Sequence, residues 1–266
     1  MAKFYPLFSS SQGNASYIGT NQAGILIDAG ASCKKILNAL SCNEIKLACI
    51  QGVFITHTHS DHIKGLKTLV SKLNIPVYGS GETLEFLENS KEKYLPVDAE
   101  LIAINLYDNQ YISCGNCEVM PFPTMHDVSG SCGYKIHTND DKYCAVCTDL
   151  GVVTDTVHDA LTGCDMVLLE SNYEPDLLWQ GAYPIDLKRR ISSDHGHLSN
   201  QDCAEFSDYL IRSGTTRLLL GHLSPHNNTP ELAAGSIVNT LTEFKPDSDY
   251  LLGVAPVETS GGAVIF

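Results

Sequence analysis

Val53-Phe54-Ile55-Thr56-His57-Thr58-His59-Ser60-Asp61-His62 is the stretch on which the fold turns. Three β-branched or aromatic residues predict a buried strand, and the strand runs directly into a cluster of ligand-type side chains. Alternate side chains of an extended chain share a side, so His57 and His59 face together. Asp61 and His62 then open a helix whose turn swings them back towards the same point. Imidazole is the commonest metal ligand, and a hard carboxylate beside it suits Zn, Mn or Fe. The competing reading is a solvated polar turn. Three histidines in one turn of a chain that has 10 argue against it.

A metal needs further ligands, and the remaining candidates all follow predicted strands. His126 lies a few residues past Val119 to Phe122, where it reads equally as a ligand or a loop residue. Asp149 ends the strand Tyr143 to Cys147 and reads as a ligand or a helix cap. His222 follows Arg217 to Leu220 and is the stronger candidate. Loops beyond strand ends are where α/β proteins place their sites. Ile25-Leu26-Ile27 and Met166 to Leu169 complete the predicted strands. A helix is predicted from Ser199 to Ser213, with a capping-box-like Ser199-x-x-Asp202, an apolar face of Cys203, Phe206, Leu210 and Ile211, and Gly214 as its stop. Thr229-Pro230-Glu231 opens another helix. Residues 101–148 read as a β meander punctuated by Asp108-Asn109, Gly115-Asn116 and Asn139-Asp140-Asp141. No linker or low-complexity tract divides the chain, so one α/β domain spanning 1–266 is expected. One internal echo stands out. Ile25-Leu26-Ile27-Asp28-Ala29-Gly30 and Ala145-Val146-Cys147-Thr148-Asp149-Leu150-Gly151 both run strand, Asp, one residue, Gly, a pattern that duplication or chance produces.

The 266 residues carry 17 Lys+Arg against 31 Asp+Glu, a formal net charge of −14, and 43% are apolar. This mixture excludes disorder, collagen and coiled coil. No run approaches the ~18–20 apolar residues of a membrane span. Met1-Ala2-Lys3-Phe4 leads into no apolar signal region, so a cytoplasmic protein is expected. The 10 cysteines then read as reduced thiols used as small core hydrophobes. A surface this acidic repels nucleic acid, so a phosphate-bearing substrate requires a local positive site, which bound metal ions would supply.

His57-x-His59-x-Asp61-His62 followed by single His, Asp and His positions resembles the metallo-β-lactamase superfamily of binuclear hydrolases. Ser9 to Ala15, Glu170-Ser171-Asn172-Tyr173, Tyr183-Pro184 through Lys188-Arg189-Arg190-Ile191, Gly196-His197-Leu198-Ser199-Asn200 and His222-Leu223-Ser224 with Asn227-Asn228 resemble its YycJ/WalJ-type branch, akin to RNase Z and PhnP-like phosphodiesterases. The resemblance implies a four-layer αββα sandwich in a single domain. It implies two divalent metal ions, Zn or Mn with Fe also compatible. His57, His59 and His126 would hold one, Asp61, His62 and His222 the other, and Asp149 would bridge them. A hydroxide shared by two such dications is a nucleophile near neutral pH, and Asp61 would also orient it. In the related phosphodiesterases a His shortly before the last ligand protonates the leaving alkoxide, and His197 sits at the matching place; the neighbouring His195 is left unassigned. The branch implies a 5′ exonuclease-like phosphodiesterase acting on DNA, with RNA as the other polymer and a small phosphodiester as a smaller substrate.

Lys188-Arg189-Arg190 is the only run of three basic residues, and Tyr173, Trp179 and Tyr183 precede it. Cations to seat phosphates beside aromatics to stack bases are what a nucleic-acid channel needs; a solvated helix end is the alternative. Gly13-Asn14 and Asn227-Asn228 either donate to a phosphate or make tight turns. Cys114-x-x-Cys117 and Cys144-x-x-Cys147 are not expected to hold zinc. Strand residues i and i+3 point to opposite faces, and the first pair flanks a hairpin signal at Gly115-Asn116. His137, His158 and His226 read as surface or turn residues. Two other functions compete with a nuclease. Hydrolysis of a thioester or lactone would use the same metals without a general acid at His197. A non-catalytic metal-binding signalling partner would have no use for an open binuclear site.

Overall fold

In the computed structural model, which describes residues 1–259 and 261–266, β1 (Lys3–Ser10), β2 (Gly13–Gly19) and β3 (Gly24–Ile27) run antiparallel. From β3 the sheet continues in parallel through β4 (Ile50–Phe54), β5 (Val77–Ser80) and β6 (Leu101–Ile104). A second sheet repeats the plan. Its β7 (Ile112–Cys114), β8 (Cys117–Pro123), β9 (Cys132–Thr138) and β10 (Tyr143–Cys147) are antiparallel, and β11 (Met166–Glu170), β12 (Arg217–Gly221) and β13 (Leu251–Val254) continue in parallel from β10. The last strand, β14 (Val264–Ile265), returns to pair with β1. In both sheets, therefore, one strand marks the switch from antiparallel to parallel, and these two strands, β3 and β10, carry the sequence echo.

Strand parity assigns the side chains to layers. Ile25 and Ile27 enter an apolar layer between the sheets with Phe4, Phe54, Tyr134 and Val146. Leu26 packs instead with Ile36, Leu40, Leu66 and Leu69, which lie on the helices Cys33–Cys42 and Leu66–Leu73. On the second sheet Cys144 and Val146 turn inward. Ala145 and Cys147 turn outward, to Cys203, Phe206, Leu210 and Ile211 of the helix Asn200–Arg212. Helix, sheet, sheet and helix thus stack as the four layers expected. Each fully buried large side chain contributes about 1.5–3 kcal/mol.

Local signals set the helix ends. Ser199 caps the helix Asn200–Arg212 by accepting from the Asp202 N–H at 3.1 Å, and Gly214 stops it at φ +107. Thr229 caps the helix Pro230–Thr240 in the same way. The meander begins later than the sequence suggested. Leu101–Ile104 lies parallel to β5 in the first sheet, because its apolar residues complete that sheet's edge, and antiparallel pairing starts at Ile112. Cys144 and Cys147 face opposite layers, as strand geometry requires, and burial pushes both thiols well above their ordinary range. All the cysteines are free, and only Cys42 is exposed. Among the described residues no helix is long and apolar enough to cross a membrane.

Candidate metal centre

The carboxyl ends of β3, β4, β10, β11 and β12 point to one edge of the sandwich. Asp28, His57 to His62, Asp149 and His222 lie on the segments that leave there, and Glu170 is the last residue of β11. The turn after β4 needs no regular helix to gather its ligands: only Ser60–Ile63 is helical, with His59 at its cap position. Gly30 makes room for it. A Cβ there would lie 1.5 Å from the Asp61 carbonyl oxygen. At the equivalent place in the second sheet, a Cβ on Gly151 would lie 2.2 Å from the Ser193 oxygen, on the loop that leads to His197. Asp28 and Asp149, two residues before these glycines, both sit at positive φ, 62° and 61°, as does His222 at 55°. Left-handed backbone at non-glycine residues stores strain that the surroundings must overcome, and such strain collects at functional sites.

The side chains form two adjoining triads. In the first, His57 Nε2 lies 3.1 Å from His59 Nδ1, which lies 3.3 Å from His126 Nε2. In the second, Asp61 Oδ2 is 3.5 Å from His62 Nε2 and 3.6 Å from His222 Nε2. Asp149 stands between them, its Oδ2 3.3 Å from His62 Nε2 and its Oδ1 3.8 Å from His126 Nε2. In each triad one donor atom per residue lies within 4.8 Å of the others.

The outer nitrogens fix the inner ones. His62 Nδ1 is held by Asp28 Oδ2 at 2.8 Å, His222 Nδ1 by Glu170 Oε1 at 2.7 Å, and His126 Nδ1 donates to the Gly196 oxygen at 2.9 Å. Each ring therefore presents Nε2 inward, the arrangement that orients imidazoles on a metal. Glu170 Oε1 also holds His197 Nδ1 at 2.9 Å, while its Oε2 accepts from the Leu150 and Leu198 amides, both at 3.1 Å. Asn14 Nδ2 reaches His62 Nε2 at 3.0 Å and Asp61 Oδ2 at 3.2 Å.

Charge divides the two triads. Burial, reinforced by the neighbouring imidazoles, holds His57 well below its ordinary value, and burial beside His126 lowers His59. Those rings are neutral, as ligands must be. Burial disfavours charge on His62, but Asp28 and Asp149 overcome it and push the ring up to about 10. Asp149 and Asp61 likewise carry His222 well above its usual range despite burial. Burial opposes the charge on Asp61, yet the His222 and His62 rings 3.6 and 3.5 Å from its Oδ2 keep its carboxyl far below the ordinary range. This concentration of carboxylates demands positive charge, which protons supply in the protein alone. Two buried atoms, Asp149 Oδ2 and His222 Nε2, have no hydrogen-bond partner. An orphaned buried polar atom costs about 1–3 kcal/mol, and both point to where cations would sit. The donor set fits divalent metal ions.

A family model described as the beta-lactamase superfamily domain matches residues 24–223. The chain belongs to the β-lactamase superfamily. Exodeoxyribonuclease YycJ of Bacillus anthracis is 36% identical to it over 240 residues, covering 90% of this chain and 89% of that protein. Exodeoxyribonuclease WalJ of Streptococcus pneumoniae serotype 2 is 36% identical over 242 residues, covering 91% and 88%. The metallo-β-lactamase fold protein YhfI from Bacillus subtilis superimposes with a TM-score of 0.70 at 16% identity, over 97% of this chain and 98% of that one.

In this β-lactamase-superfamily chain a cleft of about 310 Å³ opens onto His126, His197 and His222. Of the seven residues expected at a substrate, only Arg190 lines it. Lys188 is not at its wall: the ammonium is held by the Trp179 and Gly181 carbonyls, both at 2.7 Å. Arg189 projects to solvent beside Asp186. Asn227 and Asn228 also lie outside the cleft wall. Asn227 binds Ser224, and Asn228 donates to the Ser171 oxygen and Asn200, so both tie loops together. Gly13 and Asn14 lie on the Asp61 side. Of the aromatics, Tyr183 reaches the cleft and Tyr173 is buried, and His226, read from sequence as a turn residue, lines the cleft as well. His195 is exposed.

Sequence reasoning missed Asp28, Glu170 and Asp127. Asp127 Oδ1 lies 3.4 Å from His59 Nε2, and its Oδ2 receives Arg190 Nε at 2.6 Å. The signal for Asp28 was present in the echo, which pairs it with Asp149. Glu170 closes an apolar strand, and no spacing rule marked it.

Proposed function

We propose that this superfamily member is a binuclear metal-dependent phosphodiesterase, a 5′ exonuclease-like nuclease acting on DNA in preference to RNA, with the whole chain serving as one hydrolase domain. The observation that carries the reading is the pair of triads meeting at Asp149, beside a histidine held by a buried glutamate. The 36% identity to two exodeoxyribonucleases along nine-tenths of the chain supports the substrate class. In this reading His57, His59 and His126 would hold one ion and Asp61, His62 and His222 the other, with Asp149 available to both. Two divalent ions, Zn or Mn, would supply Lewis-acid charge for a phosphate oxygen and an acidified water.

This chain's own residues do the rest. Asp61 accepts a hydrogen bond from the attacking water and aims it at phosphorus. Glu170 fixes the His197 proton on Nδ1 and leaves Nε2 directed into the cleft. Burial disfavours charge on His197, but Glu170 raises it above its ordinary value, which favours the doubly protonated ring that a general acid needs. As the phosphorus–oxygen bond to the leaving group breaks, that Nε2 proton passes to the departing oxygen. Such a general acid is worth ~10²–10⁴ in rate. Arg190 at the cleft wall balances phosphate charge.

The test is one panel with Mn or Zn: 5′-phosphorylated single- and double-stranded DNA, RNA, a small chromogenic phosphodiester and a thioester. DNA shortening from its 5′ end is expected. His197→Ala should keep its metal content and lose ~10²–10⁴ of kcat on DNA. Full turnover by that variant rejects His197 as the acid, and thioester turnover with every phosphodiester inert rejects the nuclease.

A further inference from the structure

Beside the cleft, on the other side of Ser11 and Gln12, lies a second groove of about 450 Å³. Asp61, Lys35 and Lys64 line it with Ser10, Ser32 and Ser60. Ser11 and Gln12 line both spaces, so the groove begins where the candidate metal centre ends. A third cavity of about 440 Å³ also reaches Gln12, but its walls, among them Leu223, Pro225, Pro230 and Val254, carry no charged side chain. In a chain of net charge −14, this groove sets two lysines among hydroxyls in a lining they share with Asp61. Lys35 is already engaged: its ammonium lies 2.6 Å from Glu258 Oε2, and both side chains are about half exposed.

Resting on the nuclease reading above, we infer that this groove seats the phosphodiester backbone of the strand next to the cleaved bond, with Lys35 and Lys64 on its phosphates and Glu258 as a built-in competitor for Lys35. A carboxylate at hydrogen-bond distance from an ammonium occupies the place of a phosphate oxygen. A strand entering the groove exchanges one anion for another. Glu258 therefore sets a threshold that a polymer, with several phosphates in register, crosses more readily than a single diester.

The test uses the intact protein, a labelled single-stranded DNA with slowly cleaved phosphorothioate linkages for anisotropy, and an ordinary oligonucleotide and a small chromogenic diester for turnover. Each lysine–phosphate contact on a single strand contributes ~0.7 to the slope of log affinity against log salt. The Lys35→Gln/Lys64→Gln double variant is expected to flatten that slope by ~1.4 and to lower the oligonucleotide-to-diester ratio of kcat/KM severalfold. Glu258→Gln should do the opposite, tightening oligonucleotide binding and raising the ratio, which a damaged fold would not do. An unchanged slope in the double variant, or weaker binding in Glu258→Gln, overturns the groove. Lysine-dependent binding with every diester left intact would instead overturn the nuclease reading while the groove stands.

Discussion

Replacing Glu170 by Gln keeps the shape of the side chain and removes one acceptor oxygen from a place that needs two. Glu170 is fully buried and accepts from His197 Nδ1 and His222 Nδ1 on one oxygen and from the Leu150 and Leu198 amides on the other. A glutamine that turns its oxygen to the imidazoles presents its NH₂ to two backbone N–H groups. The reverse orientation orphans the rings. Either way two buried donors lose their acceptor, and at about 1–3 kcal/mol each the loss is ~2–6 kcal/mol. A typical domain has only ~5–15 kcal/mol in total. Leu150 follows Asp149 and Leu198 follows His197, so the loosened amides belong to the loops that carry those groups. Urea unfolding, metal content and kcat on DNA are the measurements. A lowered midpoint, a ~10–100-fold loss of metal affinity and a fall in kcat are expected together. A Glu170→Gln protein with wild-type midpoint, metal content and turnover would refute the argument that this carboxylate holds both histidines.

Gly30→Ala places a methyl group 1.5 Å from the Asp61 carbonyl oxygen and should destabilise by at least about 3 kcal/mol or prevent folding. Gly235→Ala, inside a helix where an added Cβ meets nothing within 4 Å, should stabilise by ~0.5–1 kcal/mol; urea midpoints of both variants check the contrast. His137 bonds Glu118 and Asp141, both at 3.0 Å, and Glu118 chiefly raises it above its ordinary 6.5. Because the folded value is the higher one, the stability it adds is full below pH ~6.5 and disappears as pH rises through its folded midpoint. A ring-proton titration with its midpoint at or below 6.5 in low salt would contradict that pairing.

The residues that sequence located best are those whose chemistry and spacing coincide. His57 to His62 are gathered by one strand and one turn, so local geometry sufficed to bring them together. Strand parity likewise separated Cys144 from Cys147. Lys188-Arg189-Arg190 shows the opposite case. Consecutive helical residues diverge by about 100°, so a run that looks like one patch sends Lys188 inward to carbonyls, Arg189 to solvent and Arg190 to Asp127. Glu170 and Asp28 escaped because a single acidic residue at a strand end resembles a cap or a turn until long-range packing brings its partner within reach. The edge strand Leu101–Ile104 was read as the start of the meander for the same reason: short strands carry little record of which neighbour they join.

Because the candidate centre draws on both sheets, it is absent from either half by itself. A nascent chain that has extruded β1 to β6 displays His57, His59, Asp61 and His62, but the ribosome has yet to deliver Asp149, Glu170, His197 and His222. Truncated products and proteolytic fragments ending before β12 still lack His222. On the nuclease reading, the centre is complete only once the chain has been made as far as His222 and both sheets have packed together.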